Sequence, residues 1–103
     1  MIVLGGFGMK RFMDFTVMNN INSVIKNEKE RRIKSNEPKF LEKEIMNELA
    51  IYTDVSINQI IRIKHNYSQP SLGVAILIAE FFNMHVEDLF KVVARNNAEN
   101  EHD

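Results

Sequence analysis

The sequence predicts an all-α domain of five helices, and three observations lead there. Apolar residues recur three and four apart from Ile21 onward. Residues suited to capping, among them Asn20, Ser56 and Ser71, stand just ahead of those runs. No stretch carries the alternation of a half-buried strand to any length. The chain has 103 residues, 45% of them hydrophobic, which suits one modest core and therefore one domain. It has no cysteine, so neither disulfides nor a thiolate zinc site can hold it together.

Residues 1–18, MIVLGGFGMKRFMDFTVM, hold three of the four glycines and four of the six methionines and follow no steady helical period. They read as an N-terminal arm or an upstream extension, Met18 opening a sensible protein by itself. The alternative is an extended arm or short strand that pairs with a second subunit. The GGFG stretch lacks the Lys-Ser/Thr ending of a phosphate loop and reads as flexible chain.

The domain then spans 19–95. Asn20 is expected to cap helix 1, in which Ile21, Val24 and Ile25 share a face and which runs to about Ile33. The stretch 26–39 sets Lys26, Lys29, Arg31, Arg32, Lys34 and Lys39 against Glu28, Glu30 and Glu37, a local excess of three positive charges. It is either a solvated helix face and loop or a patch that faces phosphates. Pro38 breaks the path, and Leu41, Ile45, Leu49 and Tyr52 recur as helix 2. Asp54 tolerates the left-handed backbone of a tight turn, Val55 plugs inward and Ser56 caps helix 3, about Ile57 to His65.

After a polar loop at 66–70, Ser71 caps helix 4. There Leu72, Ala75, Ile76, Ile78, Ala79, Phe81 and Phe82 are nearly continuous, which predicts a central helix apolar on most sides. Helix 5 is expected from Val86 to about Arg95, with Glu87 and Asp88 at its positive end. The polar, acidic tail at 96–103 reads as disordered.

Net charge is −1, from 13 basic and 14 acidic side chains, so any nucleic-acid surface must be local. No apolar run approaches the ~20 residues of a membrane span. The apolar start precedes Lys10 and Arg11, the reverse of a signal peptide, which makes the cytoplasm the expected location. His65, His85 and His102 are scattered, with no metal-ligand spacing, and no nucleophile stands in a recognisable order with a base. No metal, no cofactor and no enzymatic activity are expected.

An ordered series remains: Leu49 and Ala50; Asp54, Val55 and Ser56; Ile60, Arg62 and Ile63; Pro70, Ser71 and Leu72; Ile78 and Ala79; then Glu87 to Phe90. In order and spacing it resembles the helix-turn-helix domain of the phage repressor and Cro family, the xenobiotic-response-element type. The resemblance implies a repressor-like fold and double-stranded DNA as partner, with helix 3 in the major groove. Ser56 would contact a phosphate, Ile57 a thymine methyl, Asn58 an adenine and Arg62 a guanine, while Ile61 shares their outward face. His65, Asn66 and Ser68 would flank the backbone.

Four features depart from the family pattern, the first being Asp54 in the turn where glycine is common. Met46 stands where a phosphate-binding glutamine is usual. Lys64 replaces a glutamate that pairs with an arginine of helix 1, so Glu28 or Glu30 is expected as its charge-swapped partner. The helix 1 to helix 2 region is extended. The expected protein is a phage-like or bacterial transcription regulator, dimeric because one helix reads few bases, with an interface at Phe90, Val92 and Val93 or at the arm. The rival reading is a helix-turn-helix module that binds another regulatory protein, as an antirepressor or adaptor does. It draws on the neutral charge, on Met46, and on Ile57 and Ile61 facing outward.

Overall fold

In the computed structural model the described residues are 15–94. A strand, five helices and a second strand follow one another: β1 (Phe15–Asn19), α1 (Ile21–Lys34), α2 (Glu42–Thr53), α3 (Ile57–Lys64), α4 (Leu72–Phe81), α5 (Val86–Leu89) and β2 (Phe90–Ala94). The protein is mostly helical, as the periodicity predicts, but it is not all-α.

The departure lies at the two ends. Helix 5 was expected to reach Arg95, yet α5 is a single turn, and from Phe90 the chain is extended. β2 pairs antiparallel with β1 in one register, from Phe15 opposite Ala94 to Asn19 opposite Phe90. Residues 15–18, read as part of the arm, thus belong to a strand whose partner is in the same chain. The physical reason is composition: FKVVA and FTVMN are rich in β-branched and aromatic residues that suit a pleated ribbon. The acidic tail and residues 1–14 lie outside the described residues.

Every helix contributes to one core: Ile21 and Ile25 from α1, Ile45, Leu49 and Ala50 from α2, Ile60 and Ile63 from α3, Ile78 and Ala79 from α4, and Leu89 from α5. Ala50 is small where α2 turns into α3, which lets the backbones approach. Helix α4 is less enclosed than its sequence suggests. Ala75, Ile78 and Ala79 are buried, whereas Leu72 is 74% and Ile76 43% exposed.

The helix ends follow from short polar residues. Ser56 Oγ accepts from Gln59 N at 3.1 Å and Ser71 Oγ from Val74 N at 3.2 Å, as their positions predict. Asn20 does not cap α1. Asn19 takes that part, its Oδ1 accepting from Ile21 N at 3.0 Å, while Asn20 Nδ2 turns to the Asp88 carbonyl. Helices α1, α2, α3 and α4 end at Asn36, Asp54, Asn66 and Asn83, each with positive φ. At each, the next residue's N–H reaches back to the helix, as Glu37 N does to Arg32 O and Tyr67 N to Arg62 O. These are Schellman turns, with Asn or Asp where glycine is commonest.

Candidate nucleic-acid interface

α3 is oriented by a row of isoleucines three apart. Ile60 and Ile63 are buried, and Val55 packs beside them from the preceding turn. Ile57, at the head of the same i, i+3 row, is half-buried against the core. It was expected to face outward, and the row explains why it does not: a residue one step of three from Ile60 falls on the inner side. Ile57 therefore packs at the core's edge with only part of its side chain open to the outside.

The opposite face of α3 is open. Asn58, Arg62 and His65 are exposed, and Ile61 is half-buried at the flank. The side chains of Asn58 and Arg62 make no hydrogen bond or ion pair with the described residues. The His65 ring rests beside Tyr67, 5.6 Å between centroids. Ser56 stands exposed at the positive end of α3, and Ser68 is half-buried in the following loop.

Asn66 departs from its expected part at the phosphate backbone. Its Oδ1 accepts from Asn19 N at 2.9 Å and Asn19 Nδ2 at 3.0 Å, and its Nδ2 donates to Asn19 O at 3.3 Å. The amide is committed to β1. Lys64 likewise does not meet a glutamate: its Nζ donates to Asn22 Oδ1 at 3.2 Å. Met46 packs at the edge of the core, consistent with a residue that has no phosphate to bind.

Glu28 is occupied elsewhere. It receives Arg31 Nη2 and Arg32 Nε, both at 2.8 Å, and these arginines, Arg31 first, hold its carboxyl below the usual glutamate range. Arg31 also reaches Glu37, while Arg32 is 9% exposed and grips Glu48 of α2 through Nη1 and Nη2. Two of the six cations in the most basic segment are thereby neutralised, and Arg32 is a strut between α1 and α2. The phosphate-facing patch shrinks to the lysines.

Two residues of the site escaped sequence reasoning. Gln59 completes a capping box, its Oε1 accepting from Ser56 N at 3.0 Å and from Ser56 Oγ at 3.3 Å. The S-x-x-Q spacing was the signal for it. Asn19, which ties the end of α3 to β1, left no local signal.

No family model matches the chain, and a comparison with curated proteins finds no match. Among the described residues, no helix is long and apolar enough to cross a membrane.

Proposed function

We propose that this protein is a sequence-specific DNA-binding regulator that lays α3 in the major groove. The α2–turn–α3 unit is read as the helix-turn-helix of a repressor-like fold, and the working form as a homodimer on a two-fold operator. One observation carries the reading. Asn58 and Arg62, one turn apart on α3, are exposed and uncommitted among the described residues, while Ile60 and Ile63 behind them are buried.

Such a helix meets the requirements of base readout. Its eight residues span about 12 Å, comparable to the width of the groove. Its inner row fixes its attitude, so little ordering is left to binding. The planar ends of Asn58 and Arg62 match the two-point patterns of adenine and guanine, and no existing ion pair must break first. Ser56 at the helix start would meet a phosphate by exchanging its bonds to Gln59 Oε1 for bonds to the anion.

The test is selection of duplexes from a random-sequence pool, followed by gel shift with Arg62→Ala as control. The expected outcome is one enriched sequence that the wild type shifts at low salt and the variant binds about 10-fold or more weakly, as a lost bidentate contact requires. No shift by either protein at low salt would overturn the reading.

A second reading, docking to another regulatory protein, is favoured by exposed apolar side chains away from α3, notably Ile51 at 81% and Leu72 at 74%. Salt separates the two. Binding through phosphates weakens steeply as salt rises, whereas an apolar contact scarcely responds.

A further inference from the structure

Resting on the DNA-binding reading, we infer that Asn19 is a positioning residue of the DNA surface: from β1 it fixes the loop that leaves α3, so that ribbon and reading helix form one unit.

The argument starts from the last carbonyls of α3. The Schellman turn satisfies two of them, Asn66 N reaching Ile63 O at 2.9 Å and Tyr67 N reaching Arg62 O at 2.9 Å. Asn19 adds a third contact from 44 residues away, its Nδ2 donating to Ile63 O at 2.7 Å. The same amide group meets Asn66 Oδ1, and the Asn66 amide closes the pair by donating to Asn19 O. A left-handed residue is thus clamped on its side chain as well as on its backbone.

One strand residue pair away, Gln69 Nε2 donates to Val17 O at 2.8 Å. Residues two apart in a strand point their backbone groups to the same side, so Val17 and Asn19 face the loop and Thr16 and Met18 face β2. The loop side chains Asn66 and Gln69 therefore take the place of a third strand along β1. Between them lies Ser68, and just before them His65, the two remaining residues that would flank the DNA backbone. Their direction is set by the ribbon.

The arrangement has a measurable signature. Without the Asn19 side chain the buried isoleucines Ile21, Ile25, Ile60 and Ile63 still pack on one another, while the first turn of α1 loses its bond at Ile21 N and the loop loses its anchor. Phosphate contacts from the loop should weaken while base reading by Arg62 is kept. The experiment uses the full chain, wild type and Asn19→Ala, with a random-sequence duplex pool and the duplex enriched from it. Affinity is measured across salt concentration, well below the melting temperature of each protein.

The variant is expected to bind both duplexes about 3- to 30-fold more weakly, with the slope of log affinity against log salt unchanged, because the loop at 65–70 carries no lysine or arginine. The preference for the enriched duplex should be unchanged. Amide hydrogen exchange gives a second readout that needs no DNA: exchange should quicken at Asn66 and Tyr67, whose N–H groups close the turn, and not at Ile25 or Leu49. Gln69→Ala, which leaves Asn19 in place, should show a weaker form of both effects and serves if Asn19→Ala does not fold.

Equal affinity for wild type and folded variants, or exchange that quickens everywhere alike, would overturn the inference and leave the DNA-binding reading standing. Wild-type protein that binds neither duplex would remove both.

Discussion

Arg32 of α1 and Glu48 of α2 are joined by two nearly parallel hydrogen bonds, of 2.9 and 3.1 Å, and the guanidinium also donates to the Lys39 carbonyl at 2.8 Å. A residue that composition assigns to a charged surface is a buried brace. It holds the two helices together across the loop at 35–41.

Replacing Arg32 should therefore cost more than a surface arginine. Arg32→Ala is expected to lower stability by about 2–4 kcal/mol, somewhat under the figure for a fully buried pair because Glu48 keeps part of its exposure to water. Arg32→Lys should recover little of it, since an ammonium cannot reproduce the two-point contact. Urea unfolding followed by far-UV circular dichroism measures both. A loss under about 0.5 kcal/mol in Arg32→Ala would mean that the pair is merely superficial.

The same network predicts how stability changes in acid. Arg31 first, then Arg32, hold the Glu28 carboxyl below its ordinary range in the folded protein. A carboxyl whose folded pKa is depressed contributes stability that is present above its unfolded pKa and lost as pH falls through the folded one. Melting temperature should thus be flat above the ordinary glutamate range and drop below it. Glu28→Gln should lower the melting temperature at neutral pH and reduce its further fall in acid. Thermal melts of both proteins across that window check the sign.

Asn83 and Asn66 occupy equivalent left-handed positions, yet glycine should act on them to different extents. Asn83 is exposed and its side chain makes no hydrogen bond with the described residues. Asn83→Gly removes the Cβ penalty and adds unfolded-state entropy, so stability should change by less than about 1 kcal/mol. Asn66→Gly meets the same backbone need but loses three side-chain bonds to Asn19, with an expected loss of about 1–3 kcal/mol. Parallel denaturation curves decide it, and equal effects at the two sites would count against the Asn19 clamp as a stabilising contact.

These contrasts show which parts of the fold can be read along the chain. Ser56, Ser71 and Asp54 act within a turn of their own position, so sequence places them. The inner row Ile60 and Ile63 follows from helical period. Ile57 was misplaced because its inward or outward sense depends on how far the core reaches round α3. The ribbon was missed for a different reason. Phe90, Val92 and Val93 also fit a helix, and what makes them strand is a partner at the other end of the described chain. The clamp between Asn19 and Asn66, 47 residues apart, is equally non-local. Of the candidate site, the open face with Asn58 and Arg62 was legible, and its connection to β1 was not.

The exposed stripe of α4 gives a last prediction, one that separates the two functional readings. Leu72 and Ile76 are one helical turn apart and both exposed, whereas the buried residues of α4 are Ala75, Ile78 and Ala79. Exchanging the pair for polar residues of similar length, Leu72→Gln with Ile76→Gln, should leave stability within about 0.5 kcal/mol, as for other exposed positions that support no packing. If α3 is the working surface, DNA affinity and its salt slope should also be unchanged, because neither residue lies on that helix. If the chain works by docking to another regulator, the same change removes apolar area from the stripe and should abolish capture while melting stays constant. Melting, gel shift and sedimentation of one double variant thus yield a pattern in which either DNA binding survives untouched or an apolar association disappears.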